Sequence, residues 1–565
     1  MKKSLSFLLV GIMMLILISG CADLTDGNES ISPTVPAFEA PSTPYEEEAP
    51  ETAQISELGT YTIVYPSNYT DLRMDIVELL QNTIAHVTGV TPDVIPDTQE
   101  SLGNEIVLAS SARSTSLDET INGFASAMDY VVAVKDSKVI LGGQNYWSDL
   151  RAVYDFIQNY LGYDDISNSH SAPANEISGV KIITHKKPSF FIQAATWATV
   201  FETAEQIKDV ADANFNAIMY TVTSGSREKL HKTIGQCVRF EIYLVINRGA
   251  VMPELYTDCP VILGHNLWDE PRINEFSGVA ELCEEYREKY SQYGWKAWVN
   301  HVGYFKYWEY MDEMWEWADA DATGFDLYPW VESGRDHPAL YSYEKAREIT
   351  SLHDKDFWTY IQSYNHIGKP TLNTSKAYRW QMYYSMCFGT DGIIYFIYAN
   401  QSEEMPWADV NSFVMSRGFI KNEQYYDAAL ANKDVAVISE ICSDYEQVGA
   451  FVVNRKYDDE WAYIESPYDF GSVIEDIKDY KISDTYLVGC FDKKEGSGNA
   501  FIFMNINEPD STPYSQTEIS YVKVKINGQK ITAYLNGEAM VLEPDADGYY
   551  SLAAGNGICL FVTVE

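Results

Sequence analysis

From Phe191 onward, short, largely apolar runs alternate with longer stretches of helical spacing. The runs are Phe191 to Ala195, Ala217 to Val222, Ile242 to Ile246, Val261 to Leu267, Lys296 to Asn300, Gly324 to Pro329, Phe357 to Ser363 and Gly392 to Tyr398. A largely apolar run of that length predicts a strand buried on both faces. Between them, Phe201 to Ala213, Arg227 to Cys237, Glu275 to Tyr290 and Trp308 to Ala318 carry helical periodicity. Eight strands in about 210 residues have the size and rhythm of a (β/α)8 barrel, here assigned to residues 188–431. Strands three and four stand only about a dozen residues apart, too few for a full crossover helix, so a degenerate connection is expected there. An open doubly wound sheet fits less well, because no glycine-rich fingerprint follows the first strand.

The flanks read differently. Residues 58–187 predict a small α/β domain, with strands at Tyr61 to Tyr65 and Ile106 to Ala109 and a hairpin about Asp136-Ser137-Lys138. Its helices are Asp71 to Val87 and Trp147 to Leu161, the second stopped by Gly162. Residues 432–565 predict an all-β sandwich of short alternating strands, beginning with Ala436-Val437-Ile438. Residues 22–57, rich in Pro, Ser, Thr and Glu, predict a disordered linker.

The first 21 residues predict an address. Lys2 and Lys3 precede an apolar run, Leu5 to Ile18, and then Ser19-Gly20-Cys21. This is the layout of a secretory leader. Ile-Ser-Gly before Cys21 resembles the bacterial lipobox. That resemblance implies lipidation at Cys21 and an extracytoplasmic protein held at the bacterial cell membrane by lipid rather than by a spanning helix.

Composition narrows the partners. A net charge of −42 argues against nucleic acid, which needs clustered Lys and Arg. The 14% aromatic content, with 41 Tyr and 13 Trp, suits sugar rings as well as it suits large cores. The seven cysteines after Cys21 are widely spaced and form no CxxC, which argues against a zinc cluster. Nothing implies a cofactor.

In such a barrel the carboxyl ends of the strands share one rim, where active sites lie. That rim would gather Trp197, Thr223-Ser224, Arg248, Trp268-Asp269-Glu270, Asn300-His301, Asp326 with Tyr328, Gln362 and Tyr398. Carboxyls, amides and indoles converging in this way are the equipment of glycoside hydrolysis. Glu270 and Asp326 are the candidate catalytic carboxyls. Trp197, Arg248, Trp268, Asp269, Asn300, His301, Tyr328, Gln362 and Tyr398 are candidate substrate contacts.

A resemblance supports this. Strand four ends in Asp269-Glu270-Pro271, and clan A glycoside hydrolases end that strand in Asn-Glu, often followed by proline. Gly264 to Pro271, Asp326 to Pro329, Trp358 to Gln362, Arg379-Trp380-Gln381 and Gly389 to Phe396 together resemble secreted bacterial barrel proteins. Those proteins are labelled as glycoside hydrolases and are loosely similar to family 42 β-galactosidases. The run from Val139 to Tyr163 is similar to the accessory domain that precedes the barrel in α-glucuronidases and β-hexosaminidases. The resemblance implies Glu270 as acid/base. It also implies a nucleophilic Glu at the end of strand seven, where this chain has Gln362.

Three outcomes follow from that glutamine. Asp326 could act as base for water in an inverting reaction, which sets the carboxyls roughly 6.5–9.5 Å apart. Asp269 could cooperate with Glu270, although neighbours on a regular strand face opposite ways. Or the barrel could bind glycans without cleaving them. A metal-dependent hydrolase using His265, His301, Asp269 and Asp326 is a weaker alternative.

Overall fold

The eight runs form one closed parallel barrel. Strand one is Phe191–Trp197, and the others are Ala217–Tyr220, Tyr243–Asn247, Ile262–Asp269, Lys296–Val302, Ala322–Asp326, Asp356–Gln362 and Gly392–Asn400. They pair in sequence order, and strand eight closes on strand one. A computed structural model describes residues 49–565 apart from 101–102, 114–115, 198–200, 221–226, 248–254, 303–319, 328–336, 366, 368–373, 401–404, 406–407, 410, 454–476, 482–483, 508, 511 and 529. Cys21 with its leader, the linker as far as residue 48, Thr223-Ser224, Arg248, the helix expected at Trp308 to Ala318, and Tyr328 therefore lie outside the described residues.

Helices Ala204–Asp212, Arg227–Arg239, Phe276–Tyr290, His337–Leu352 and Ser375–Cys387 follow strands one, two, four, six and seven. Thr203 caps the first through a reciprocal bond with Gln206, which satisfies amides a helix start leaves open. Between strands three and four the described residues hold only turns. At the foot of the barrel, polar residues just ahead of a strand hold the preceding strand. Asn216 Oδ1 accepts the Ile192 N–H at 2.8 Å, Asp321 Oδ2 that of Ala297 at 2.9 Å, and Asp391 Oδ2 that of Phe357 at 2.8 Å.

The amino-terminal domain is a six-stranded mixed sheet, with Tyr130–Lys135 and Lys138–Gly142 as the expected hairpin. Asp136 and Ser137 turn it with φ of 53° and 61°, the left-handed pair that matches strand twist. The domain begins earlier than the composition predicts. Thr52–Gln54 pairs with Glu176–Ser178, and Ile55 is buried, so residues 50–57 belong to the fold and not to the linker. Three residues of strand are too few to carry a readable alternation. Helix Tyr146–Asn159 packs this domain on the barrel, where the Tyr146 hydroxyl meets His231 Nε2 at 3.0 Å.

A second correction falls at the other boundary. Ala436-Val437-Ile438 lies inside helix Glu423–Cys442, not in a strand. Buried Tyr425, Ala428, Ala431, Val435 and Ile438 recur at helical spacing, and Asn422 caps the start. Three apolar residues alone do not separate strand from helix. Beyond it, a six-stranded and a three-stranded antiparallel sheet enclose a core including Phe501, Val524, Leu552 and Leu560. Helix Ser375–Cys387 is buried on every side between barrel and sandwich, with Trp380 Nε1 donating to Asn505 O at 3.1 Å. The seven cysteines after Cys21 are all free thiols, six of them buried.

Candidate active site

Strand four does not run regularly to its end. Asn266 pairs with Trp298, but the next partner of Val299 is Trp268, so Leu267 is an inserted residue. Such a bulge shifts the side-chain alternation by one. Below it, His265 faces the outer wall, where its ring nitrogens bond the Tyr256 and Tyr286 hydroxyls at 3.1 and 2.7 Å. Asn266 faces inward, its Nδ2 donating to Asn247 Oδ1 at 3.1 Å. Above the bulge Trp268 takes the outward register and Asp269 the inward one, opposite Asn300. Asn300 Nδ2 donates to Asp269 Oδ1 at 2.8 Å.

Glu270 then turns off the strand with φ +48°, a left-handed conformation uncommon for a glutamate. Its N–H is tied to Asn300 O at 2.9 Å. The turn brings its carboxyl to the same side as that of Asp269. Adjacent carboxyls thus share the barrel mouth: the bulge turns Asp269 inward, and the turn at Glu270 cancels the alternation that would separate the two.

Asp326 ends strand six on the inward face, two residues above Gly324. A Cβ on Gly324 would lie 2.8 Å from Tyr360 Cε2 and 3.0 Å from Asn300 Oδ1, so glycine opens the space these side chains fill. The Asp326 and Glu270 carboxyls are neighbours at the mouth, close enough for Asp326 to act on the ionisation of Glu270. Neighbouring carboxyls compete for a proton, because both cannot ionise cheaply. Burial and the neighbouring Asp269 charge raise the Glu270 carboxyl above the usual range, against the opposing bond to Asp326.

Tyr360, absent from the sequence-based set, belongs to the same cluster. It is fully buried on strand seven and touches Met219 Sδ through its hydroxyl at 4.0 Å. Burial, with the Asp269, Asp326 and Glu270 charges, raises its phenol well above the ordinary value, so it stays a donor. Its alternation with Trp358 and Gln362 inside one run was legible, and only the presence of the three carboxyls was not. Gln362, one step higher, faces the interior at 6% exposure, and its Nε2 donates to Tyr364 O at 2.9 Å.

Other expected contacts lie elsewhere. His301 alternates with inward Asn300 and sits in the outer wall at 1% exposure, where burial lowers its pKa to about 3 and keeps it neutral. Tyr398 packs against Phe201 and Phe215, with ring centres at 6.0 and 5.3 Å, between the barrel and its helices. Trp268 is turned outward by the bulge. Trp197 ends strand one. The metal alternative fails on geometry, because His265 and His301 face outward while Asp269 and Asp326 face inward. Among the described residues no three His, Cys, Asp or Glu side chains are grouped to hold a metal ion. Nor is any described helix long and apolar enough to cross a membrane.

No protein-family model matches the chain, and no curated protein sequence is similar to it. Among solved structures it is similar to Amy13B of Eubacterium rectale, at 9% identity over 67% of this chain and 96% of that one, with a TM-score of 0.39. It is also similar to a GH30 endoxylanase of Clostridium papyrosolvens C71, at 8% identity over 67% and 97%, with a TM-score of 0.33. An HpcH/HpaI aldolase of Desulfitobacterium hafniense DCB-2 aligns at 9% identity over 37% and 86%, with a TM-score of 0.27.

Proposed function

We propose that the barrel hydrolyses glycosidic bonds of an extracellular oligo- or polysaccharide, with Glu270 as the general acid. One observation carries this reading: Glu270 sits at the end of strand four with its carboxyl raised above the usual range, beside Asp269 and near Asp326. A protonated carboxyl at a barrel mouth is what a glycosidic oxygen needs as it leaves. The positive charge growing at the anomeric carbon would face the Asp269 and Asp326 carboxylates. Water would complete the sugar and return its proton to the Glu270–Asp326 pair. Asp326 would then tune the acid and stabilise charge, rather than activate water from across the ring. The site would sit outside the cytoplasm, tethered through lipid on Cys21, and C21A would release the protein from the membrane fraction.

The test is a panel of aryl glycosides with wild type and Glu270→Gln. Turnover by the wild type that the substitution abolishes is expected. Turnover surviving unchanged in Glu270→Gln would remove Glu270 from the chemistry. Gln362 at the end of strand seven favours a second reading, a surface protein that binds glycans without cleaving them, since an amide there cannot act as a nucleophile. Binding of a glycan with no turnover on any substrate would establish that reading instead.

A further inference from the structure

Asn300 stands on the inward face of strand five, in register with Asp269 on one side and with Gly324 on the other. It binds the end of strand four twice. Its side-chain Nδ2 donates to Asp269 Oδ1 at 2.8 Å, and its backbone carbonyl accepts the Glu270 N–H at 2.9 Å. The backbone bond ties down the residue whose φ of +48° turns the Glu270 carboxyl toward Asp269. The side-chain bond fixes where the Asp269 carboxyl stands. Asp269 itself is exposed, so without that bond its carboxyl is free to turn into water. Gly324 leaves the amide its place, since a Cβ there would lie 3.0 Å from Asn300 Oδ1, tighter than ordinary contact. At 4% exposure Asn300 is held by these neighbours and not by solvent.

We propose that Asn300 is a positioning residue for the general acid, holding the Asp269 carboxyl beside Glu270 with its side chain and the Glu270 turn with its backbone. The proposal rests on the glycosidase reading above and adds to it the residue that sets the acid's surroundings. Its consequence is electrostatic. Among the described residues, the groups that act on the Glu270 carboxyl are Asp269 from strand four, which raises it, and Asp326 from strand six, which opposes. Tyr360 on strand seven feels all three carboxyls and stays protonated. On strand five itself, His301 is turned to the outer wall and kept neutral by burial. Of these groups, Asp269 is the one bonded to the Asn300 side chain. A charge that moves away and into water acts less on its neighbour. Without the amide, Glu270 would therefore give up its proton at lower pH.

The test is kcat/KM against pH for wild type, Asn300→Leu, Asp269→Asn and the double variant. Leucine keeps the volume and the backbone bond and removes the N–H. Because Glu270 acts in its protonated form, the alkaline limb of Asn300→Leu should move to lower pH. That lowers kcat/KM near neutral pH by about three- to tenfold and leaves the acid-side value close to that of the wild type. The two substitutions should not add: on an Asp269→Asn background, Asn300→Leu should leave the limb where it is. A packing defect would instead lower activity at every pH and add to Asp269→Asn. If Asn300→Leu does not fold by circular dichroism, Asn300→Ser, whose hydroxyl falls one bond short of Asp269, takes its place. A limb that the substitution leaves unmoved, or an equal loss on both backgrounds, would overturn the assignment while the glycosidase reading stands. If no glycoside is turned over, that reading falls, and a carbon-13 titration of the Glu270 carboxyl decides the placement of the pair by itself. A midpoint lowered by Asn300→Leu upholds it, and an unmoved midpoint overturns it.

Discussion

The barrel carries acidic residues at both ends, and they live under different terms. At the foot, Asp321 and Asp391 each accept a strand's N–H, Arg287 stands 3.8 Å from Asp321, and Lys296 pairs with Asp356. Each carboxylate there has a structural task or a cation. At the mouth, Asp269, Glu270 and Asp326 crowd together, Glu270 takes an unusual backbone conformation, and amide oxygens lie buried without partners. The foot is optimised for holding strands. The mouth keeps unmet bonding capacity, which is where a fold places its chemistry.

Substitution should separate the two ends. The largest expected effect is at the mouth: Glu270→Gln should lower turnover by about 10²–10⁴-fold, the range that general acid catalysis supplies. Its urea unfolding midpoint should stay near that of the wild type. A loss of stability matching the loss of activity would make Glu270 a foot-type residue.

Next comes the neighbouring carboxyl. Asp269→Asn removes the charge that helps raise the Glu270 carboxyl. Activity near neutral pH should fall by about tenfold, the equivalent of about one pKa unit, and the alkaline limb of the pH profile should move down. Circular dichroism should keep the barrel signature. Full activity with an unmoved limb would show that Asp269 does not act on Glu270.

At the foot the pattern should invert. Asp391→Ala leaves the Phe357 N–H without its acceptor and should cost about 1–3 kcal/mol of stability, read by urea titration, with kcat of the remaining folded enzyme unchanged. Asp391→Asn keeps the acceptor. Burial raises the Asp391 carboxyl to about 6, so its folded form holds a proton more tightly than the unfolded chain does. Its contribution is therefore most favourable below the unfolded carboxyl range, near about 4, and is lost as pH rises toward 6. The urea midpoint of the wild type should decline across that window more than that of Asp391→Asn.

The smallest effect is a shape. Because Glu270 acts in its protonated form, kcat/KM should fall on the alkaline side, and that limb should lie above the ordinary carboxyl range. A limb at ordinary carboxyl pH would mean that neither Asp269 nor burial acts on Glu270.

The strands of the barrel were legible because parallel strands buried on both faces read as largely apolar runs. Glu270 and Asp326 were legible as strand ends. Facing was not. The bulge at Leu267 adds one residue between Asn266 and Trp268, where no regular alternation marks it, yet it decides that Asp269 points in and Trp268 out. His301 and Tyr398 were placed at the rim by position alone; alternation sends His301 to the outer wall, and a register shift in strand eight sends Tyr398 there. Tyr360 escaped notice for the opposite reason: a tyrosine inside a core run looks like filling until three carboxyls are seen around it. Residues 50–57 were lost to composition, since a strand of three residues cannot outweigh the prolines beside it.

The most direct measurement of the central claim is a carbon-13 NMR titration of the glutamate side-chain carboxyls, with the Glu270 signal assigned by its absence in Glu270→Gln. The Glu270 carboxyl is expected to titrate above the usual glutamate range and to shift when Asp269 or Asp326 is replaced by Asn. A Glu270 signal that titrates at or below the usual value, and ignores both replacements, would contradict a general acid raised by its neighbours at the mouth.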